Sequence, residues 1–171
     1  MSESLWPKVR LKADSEEELI EAYRQLYLKT YVWDENGNKR IFTDWTGVKI
    51  TFAAGAFDHA FTKAKNYRYG TCIHDGGFDY ERARRILWIA EVLVASAGTI
   101  QRYSQLKEDS RGRKKKRRTY VVVDESYVVV FDNPTSEDKP YKFVTAIPAS
   151  RSYIETEIKQ KAFLVETKKA S

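Results

Sequence analysis

The stretch Thr119-Tyr120-Val121-Val122-Val123-Asp124-Glu125-Ser126-Tyr127-Val128-Val129-Val130-Phe131 decides the fold class. Two runs of β-branched and aromatic residues flank a short polar cluster, which is the composition of a β-hairpin. Downstream, Asn133-Pro134 to Lys139-Pro140 reads as a turn. Residues 141–147 then read as a third strand, on which alternation puts Phe143, Thr145 and Ile147 on one face. Ser150 is placed to cap a closing helix over 151–163.

Upstream of the hairpin the periodicity is helical. Ser15-Glu16-Glu17-Glu18 is a capping box, and Leu19, Ile20, Ala22, Tyr23, Leu26 and Tyr27 follow at helical spacing. A helix is expected over 15–31. Residues 34–38 are a turn cluster, and 46–52 read as extended. A short helix is expected over 55–67 and a glycine-bearing loop over 69–77. Asp79 caps a long helix to about residue 97, with Ile86, Ile89, Ala90, Leu93, Val94 and Ala97 as its buried stripe. Helices first, then an antiparallel meander, then a helix define an α+β class. The expected architecture is helices packed on one antiparallel sheet of about three to five strands. The whole of 1–171 reads as one domain, with 1–52 an N-terminal helix-and-strand extension and 53–165 the core.

A chain of 171 residues, 42% apolar and 32% charged, can bury a core of ordinary size. Its single cysteine, Cys72, rules out an internal disulfide and fits a reducing, cytoplasmic compartment. Residues 1–8 lack a basic start followed by an apolar run, so no leader is expected. The longest apolar-rich region, 86–97, is interrupted by Glu91, so no membrane span is expected.

The charge is concentrated. Arg111, Arg113, Lys114, Lys115, Lys116, Arg117 and Arg118 form one run, and without these seven cations the formal charge of +6 falls to −1. Mutual repulsion predicts an exposed segment that is mobile until a polyanion neutralises it, and the expected partner is RNA, DNA or another polyanion. A solvated hairpin loop or a localisation signal is the plainer alternative. Eleven Tyr and four Trp suit a core, a protein interface or base stacking alike.

The sequence lacks a phosphate-binding GxxxxGK loop, GxGxxG, paired CxxC and HExxH. Cys72, His74 and Asp75 stand close together, but three loop residues without a matching second cluster make a poor metal site, so neither metal nor cofactor is expected. Metal-independent RNA cleavage needs a base, an acid and a cation for the phosphate, and histidine suits the first two roles. His59 lies off the apolar stripe of the 55–67 helix with Lys63 four residues on, a base beside a phosphate clamp. Arg82 and Arg85 continue the stripe of the long helix and need either a carboxylate or a polyanion. Thr145 is either a core hydroxyl bonded to backbone or one aimed at a phosphate. Lys142 and Arg151 flank it as candidate phosphate contacts.

These elements occur in a particular order: Phe57-Asp58-His59-Ala60-Phe61, Arg82-Ala83-Arg84-Arg85-Ile86-Leu87-Trp88-Ile89, the valine-rich strand pair, and Lys142-Phe143-Val144-Thr145-Ala146-Ile147. That order resembles the phage-associated branch of the barnase–EndoU–colicin–RelE-like nucleases, over roughly residues 57–147. The resemblance implies a metal-independent, toxin-like endoribonuclease acting on tRNA or other RNA, with a nuclease-like core over 53–165. It implies catalytic roles for His59, for Arg82 or Arg85, and for Thr145, and a possible cognate inhibitor as partner. A second histidine placed as the acid is missing from the pattern. Two other readings share the basic run: a non-catalytic nucleic-acid-binding module, and a phage or mobile-element protein that binds and inhibits a host protein.

Overall fold

The computed structural model describes residues 4–63, 77–108 and 111–170. Helix α1 spans Glu16–Tyr27 and runs on into one π turn, Leu28–Val32. Ser15 caps it by accepting the Glu18 N–H at 3.2 Å, the bond its capping box calls for. Short strands β1 (Phe42–Thr43) and β2 (Lys49–Thr51) follow, then three helices, α2 (Ala56–Ala60), α3 (Tyr80–Arg84) and α4 (Trp88–Val94). The rest of the chain is strand: β3 (Thr99–Glu108), β4 (Lys114–Val122), β5 (Tyr127–Asp132), β6 (Tyr141–Pro148) and β7 (Ala162–Lys169). Between β6 and β7 lies α5, Arg151–Tyr153, with a π turn over Ile154–Lys159.

The expectation of three to five antiparallel strands under packed helices is overturned. Among the described residues the sheet has seven strands, in the order β1-β2-β6-β5-β4-β3-β7, and it curls into a half-barrel beside five short helices. It is mixed, because β2 pairs with β6 in parallel while the other neighbours are antiparallel. The extra strands have physical reasons to escape a reading by pattern. In β3, Thr-Ile-Gln-Arg-Tyr-Ser-Gln-Leu-Lys-Glu, polar residues fall on both faces, so no apolar alternation marks it. β7 begins at Ala162, inside the expected closing helix, which stops at Lys159. β1 is two residues long.

Two hydrophobic clusters cover the two faces of this sheet. On the inner face Ile100, Tyr120, Val122, Tyr127, Val129, Phe131, Phe143 and Ala146 pack against α1 to α4 in the main core. On the outer face Tyr103, Val121 and Val128 meet Ile154 and Ile158 of the closing helical segment. The valine runs of β4 and β5 are thus buried on both sides, which explains their nearly unbroken apolar character.

Residues 4–11 belong to this packing. Trp6 is buried edge-on to Trp88, 5.7 Å between rings, and the Trp88 indole donates to the Pro7 carbonyl at 3.0 Å. Gly98, at φ 74°, turns the chain into β3 where a Cβ would collide with the Asp124 carboxylate and with Leu5.

The expected long helix from Asp79 is two helices. Asp79 does cap α3, accepting the N–H groups of Glu81 and Arg82. The break falls after Arg84, and α4 restarts at Trp88. Tyr31 is buried here, and its hydroxyl donates to the Ile86 carbonyl at 2.5 Å while accepting the Ala90 N–H at 3.1 Å. A phenol between a carbonyl and the N–H four residues on replaces the backbone bond of a continuous helix.

Candidate nucleic-acid interface

Strand register places the basic run. Residues 114–118 belong to β4 itself, rather than to a segment awaiting a ligand for order. β4 pairs with β3 as far as Glu108↔Lys114. Its other neighbour, β5, ends at Arg117↔Asp132, and β7 on the far side of β3 begins at Gln105↔Ala162. Leu106–Glu108 against Lys114–Lys116 therefore form a two-stranded ribbon that outruns the sheet on both sides. Arg111, Arg113, Lys114, Lys115 and Lys116 are all exposed there, and Gly112 supplies the left-handed residue of the approach at φ 75°.

The cations divide by face, because alternate residues of a strand point to opposite sides. Lys114 and Lys116 share the side of Arg118 and Tyr120, and Lys115 and Arg117 point to the other. Lys115 and Arg117 both contact Asp132, at 3.1 and 3.2 Å. Lys142 lies opposite Asp132 in register, so Arg117, Asp132 and Lys142 form one row across three strands, with the cations at its ends.

Arg118 has a different role. It is 6% exposed, its guanidinium stands 3.6 Å from the Asp44 carboxylate, and it donates to the hydroxyls of Tyr120 and Thr46. It also lies over the rings of Tyr120 and Tyr141. Tyr120 donates to Asp44, and burial pushes its phenol well above the ordinary value, so it remains a donor. The other Asp44 oxygen accepts the N–H groups of Thr46 and Val48, closing the turn before β2. A buried charge needs such a partner set. Arg118 thus anchors the ribbon in the core, while the five cations before Arg117 face solvent. Reading the chain missed Asp44. Its only local signal was the Asp-Trp-Thr-Gly turn, and its partner, Arg118, lies 74 positions along the chain, brought near only by folding.

The other predicted residues fall in three places. Helix α2 ends at Ala60, so His59 lies in its last turn and Lys63 lies beyond it, its N–H donating to Gly77 at 3.1 Å. Both side chains are exposed. The expected helix over 55–67 is cut short at Ala60, since Thr62 bridges to Phe78, so Lys63 does not stand one helical turn from His59; residues 64–67, and Cys72, His74 and Asp75, lie outside the described residues. Arg82 reaches this same end of α2: it donates to the carbonyls of Ala60 and Thr62 at 3.2 and 2.9 Å and pairs with Asp79 at 3.3 Å. Arg82 thereby binds the backbone of residues 60 and 62, which lie between His59 and Lys63 in the chain. Burial lowers the Arg82 pKa from its ordinary value, against the pull of Asp79. Arg85 turns away, bound to Glu81 at 2.9 Å and lying over the Trp88 ring.

Thr145 stands across the sheet from that group. A bulge between Val130 and Phe131 shifts the register, so Phe143 faces the main core while Thr145, opposite Val130, joins Ile147 on the outer face. Its hydroxyl is buried with no hydrogen-bond partner among the described residues. Arg151 is exposed at the start of α5, lining an open cleft of about 280 Å³ with Gln101, Glu155 and Lys159. Among the described residues no three His, Cys, Asp or Glu side chains are grouped to hold a metal, and no helix is long and apolar enough to cross a membrane.

The fold and its basic ribbon define this chain as an α+β protein with a mixed, curled sheet and one concentrated cationic projection. Comparison with protein families, with curated proteins and with solved structures found no match.

Proposed function

We propose that the protein binds nucleic acid through the β3–β4 ribbon. The observation that carries this reading is the exposure of Lys114, Lys115 and Lys116 on a strand paired with β3 in a ribbon that projects past β5 and β7. Pairing fixes the backbone, so the ribbon offers its ammonium groups to phosphates with little further ordering cost. Each neutralised phosphate releases condensed counterions, which makes such binding strongly salt-dependent. Arg118, held by Asp44, fixes the root of the ribbon and contributes no phosphate contact of its own.

The test is equilibrium binding of an RNA hairpin and a DNA duplex across a salt series. Replacing Lys114, Lys115 and Lys116 by alanine is expected to weaken binding and to reduce the slope of log K against log salt by about 2–3. An unchanged slope would remove the ribbon from the interface.

A second reading, metal-independent RNA cleavage, draws on Arg82 binding the backbone carbonyls of Ala60 and Thr62, between exposed His59 and Lys63, at the end of α2. Thr145, on the outer face, lies away from that helix end. Discrete fragments of tRNA produced in EDTA by the natural chain and not by His59→Ala would support this reading. Intact RNA from both would leave binding alone.

A further inference from the structure

Three consecutive apolar side chains, Phe163, Leu164 and Val165, are exposed on β7, the edge strand next to the ribbon. Phe163 is 82% exposed, the highest value for a large apolar side chain among the described residues. An exposed aromatic on an edge strand costs solubility and invites aggregation unless it has a use. Its surroundings specify one. Phe163 lies opposite Ser104 in β3, and Ser104 lies opposite Arg118 in β4, so Phe163 shares the ribbon face that carries Lys114 and Lys116. Leu106, two residues beyond Ser104 on that face, is 53% exposed and adjoins Phe163 diagonally. Two strand spacings, about 10 Å, separate the Phe163 strand from the lysines of β4.

We propose that Phe163 is a stacking platform for an unpaired base, and that this face of the ribbon binds single-stranded nucleic acid, with Lys114 and Lys116 on the adjoining phosphates. The inference rests on the nucleic-acid reading above and names the form of its ligand. A free ring face stacks on a base only when that base is unpaired and splayed out, because a duplex already buries its base faces. The cations alone serve any polyanion, whereas cations beside an exposed ring and an exposed leucine match the alternation of phosphate and base along a single strand. A protein partner at this edge would also cover Phe163, but the concentrated positive charge of the adjoining run favours a polyanion.

The experiment compares the full chain with Phe163→Ala and Phe163→Trp by fluorescence anisotropy. The probes are oligo(dT), oligo(rU) and a duplex DNA of the same length. Sedimentation is run in parallel on each protein. Phe163→Ala is expected to lose about 5- to 150-fold in affinity for the single strands, the worth of one stacked base, with duplex affinity and the salt slope unchanged. Phe163→Trp is expected to retain the affinity. If Phe163→Ala binds single strands as the natural chain does, while the triple-lysine variant does not, the stacking inference is overturned and the ribbon remains a binding element. Loss of a dimer on Phe163→Ala without change in affinity also overturns it, assigning the ring to a protein interface. If the natural chain binds none of the probes, both readings fall together.

Discussion

Tyr31 donates its phenolic proton to the Ile86 carbonyl at 2.5 Å and accepts the Ala90 N–H at 3.1 Å, so a side chain from the first helix completes the hydrogen bonding of a gap between two others. Burial pushes this phenol far above the ordinary tyrosine value, which keeps it a donor at every physiological pH. Tyr31→Phe preserves the ring packing against Phe52 and removes both bonds. Two backbone groups are then left unpaired, one of them in a buried residue, and the expected cost is about 2–4 kcal/mol. Urea unfolding monitored by circular dichroism measures it. A loss below about 0.5 kcal/mol, within the scatter of neutral substitutions, would mean the gap is filled in another way.

Asp44 and Arg118 form the buried ion pair at the root of the ribbon. Asp44→Asn keeps a side-chain acceptor for the turn but leaves the Arg118 charge without its counterion, at an expected cost of about 3–5 kcal/mol. Adding Arg118→Met to Asp44→Asn is expected to recover most of that loss, since removing both charges also removes their desolvation. A double variant as unstable as the two single losses combined would show that the pair is not coupled.

Thr145 carries a buried hydroxyl with no partner among the described residues. Thr145→Val keeps the side-chain shape and removes the unpaired polar atom. The expected result is unchanged stability or a gain of about 1 kcal/mol, with nucleic-acid affinity unaltered. A loss of more than 1 kcal/mol, or weaker binding, would reveal a hydrogen bond that this hydroxyl makes in solution.

Four tyrosines, Tyr27, Tyr31, Tyr120 and Tyr127, have their ionisation raised chiefly by burial. Each folded value lies above the unfolded value of about 10. The folded state therefore holds these protons longer, and their contribution to stability is complete below about pH 10 and declines as the pH rises beyond it. In an alkaline titration their phenolate absorbance is expected only together with loss of the circular dichroism signal. Ionisation of all eleven tyrosines near pH 10 with the fold intact would contradict the buried placement of these four.

What was legible in the chain was whatever its local chemistry enforces. The capping box at Ser15, the Asp79 cap, the hairpin of β4 and β5, the third strand β6 and the Ser150 cap all appear where side chain and backbone dictate them. β3 was hidden because its inward positions include Arg102 and Ser104, and the partner that accommodates Arg102 lies on another strand: Arg102 meets Glu166 of β7 at 2.6 Å. β7 was hidden because Ala162 to Lys169 owes its conformation to pairing with β3 and presents exposed apolar residues rather than an alternating face.

The candidate site divides in the same way. By itself the sequence determined that one short run carries the excess positive charge, because charge is a property of composition and needs no fold. Only the tertiary structure decided the work of each cation. It buried Arg118 against Asp44, drew Arg117 and the still-exposed Lys115 to Asp132, and left Lys114 and Lys116 exposed on the opposite face. It likewise set Phe163 on their face, and put Thr145 and the end of α2 on opposite sides of the sheet. Those relations depend on strand register and on one bulge. A shift of a single residue reverses which face a side chain occupies, and register is fixed by contacts between segments far apart in the chain.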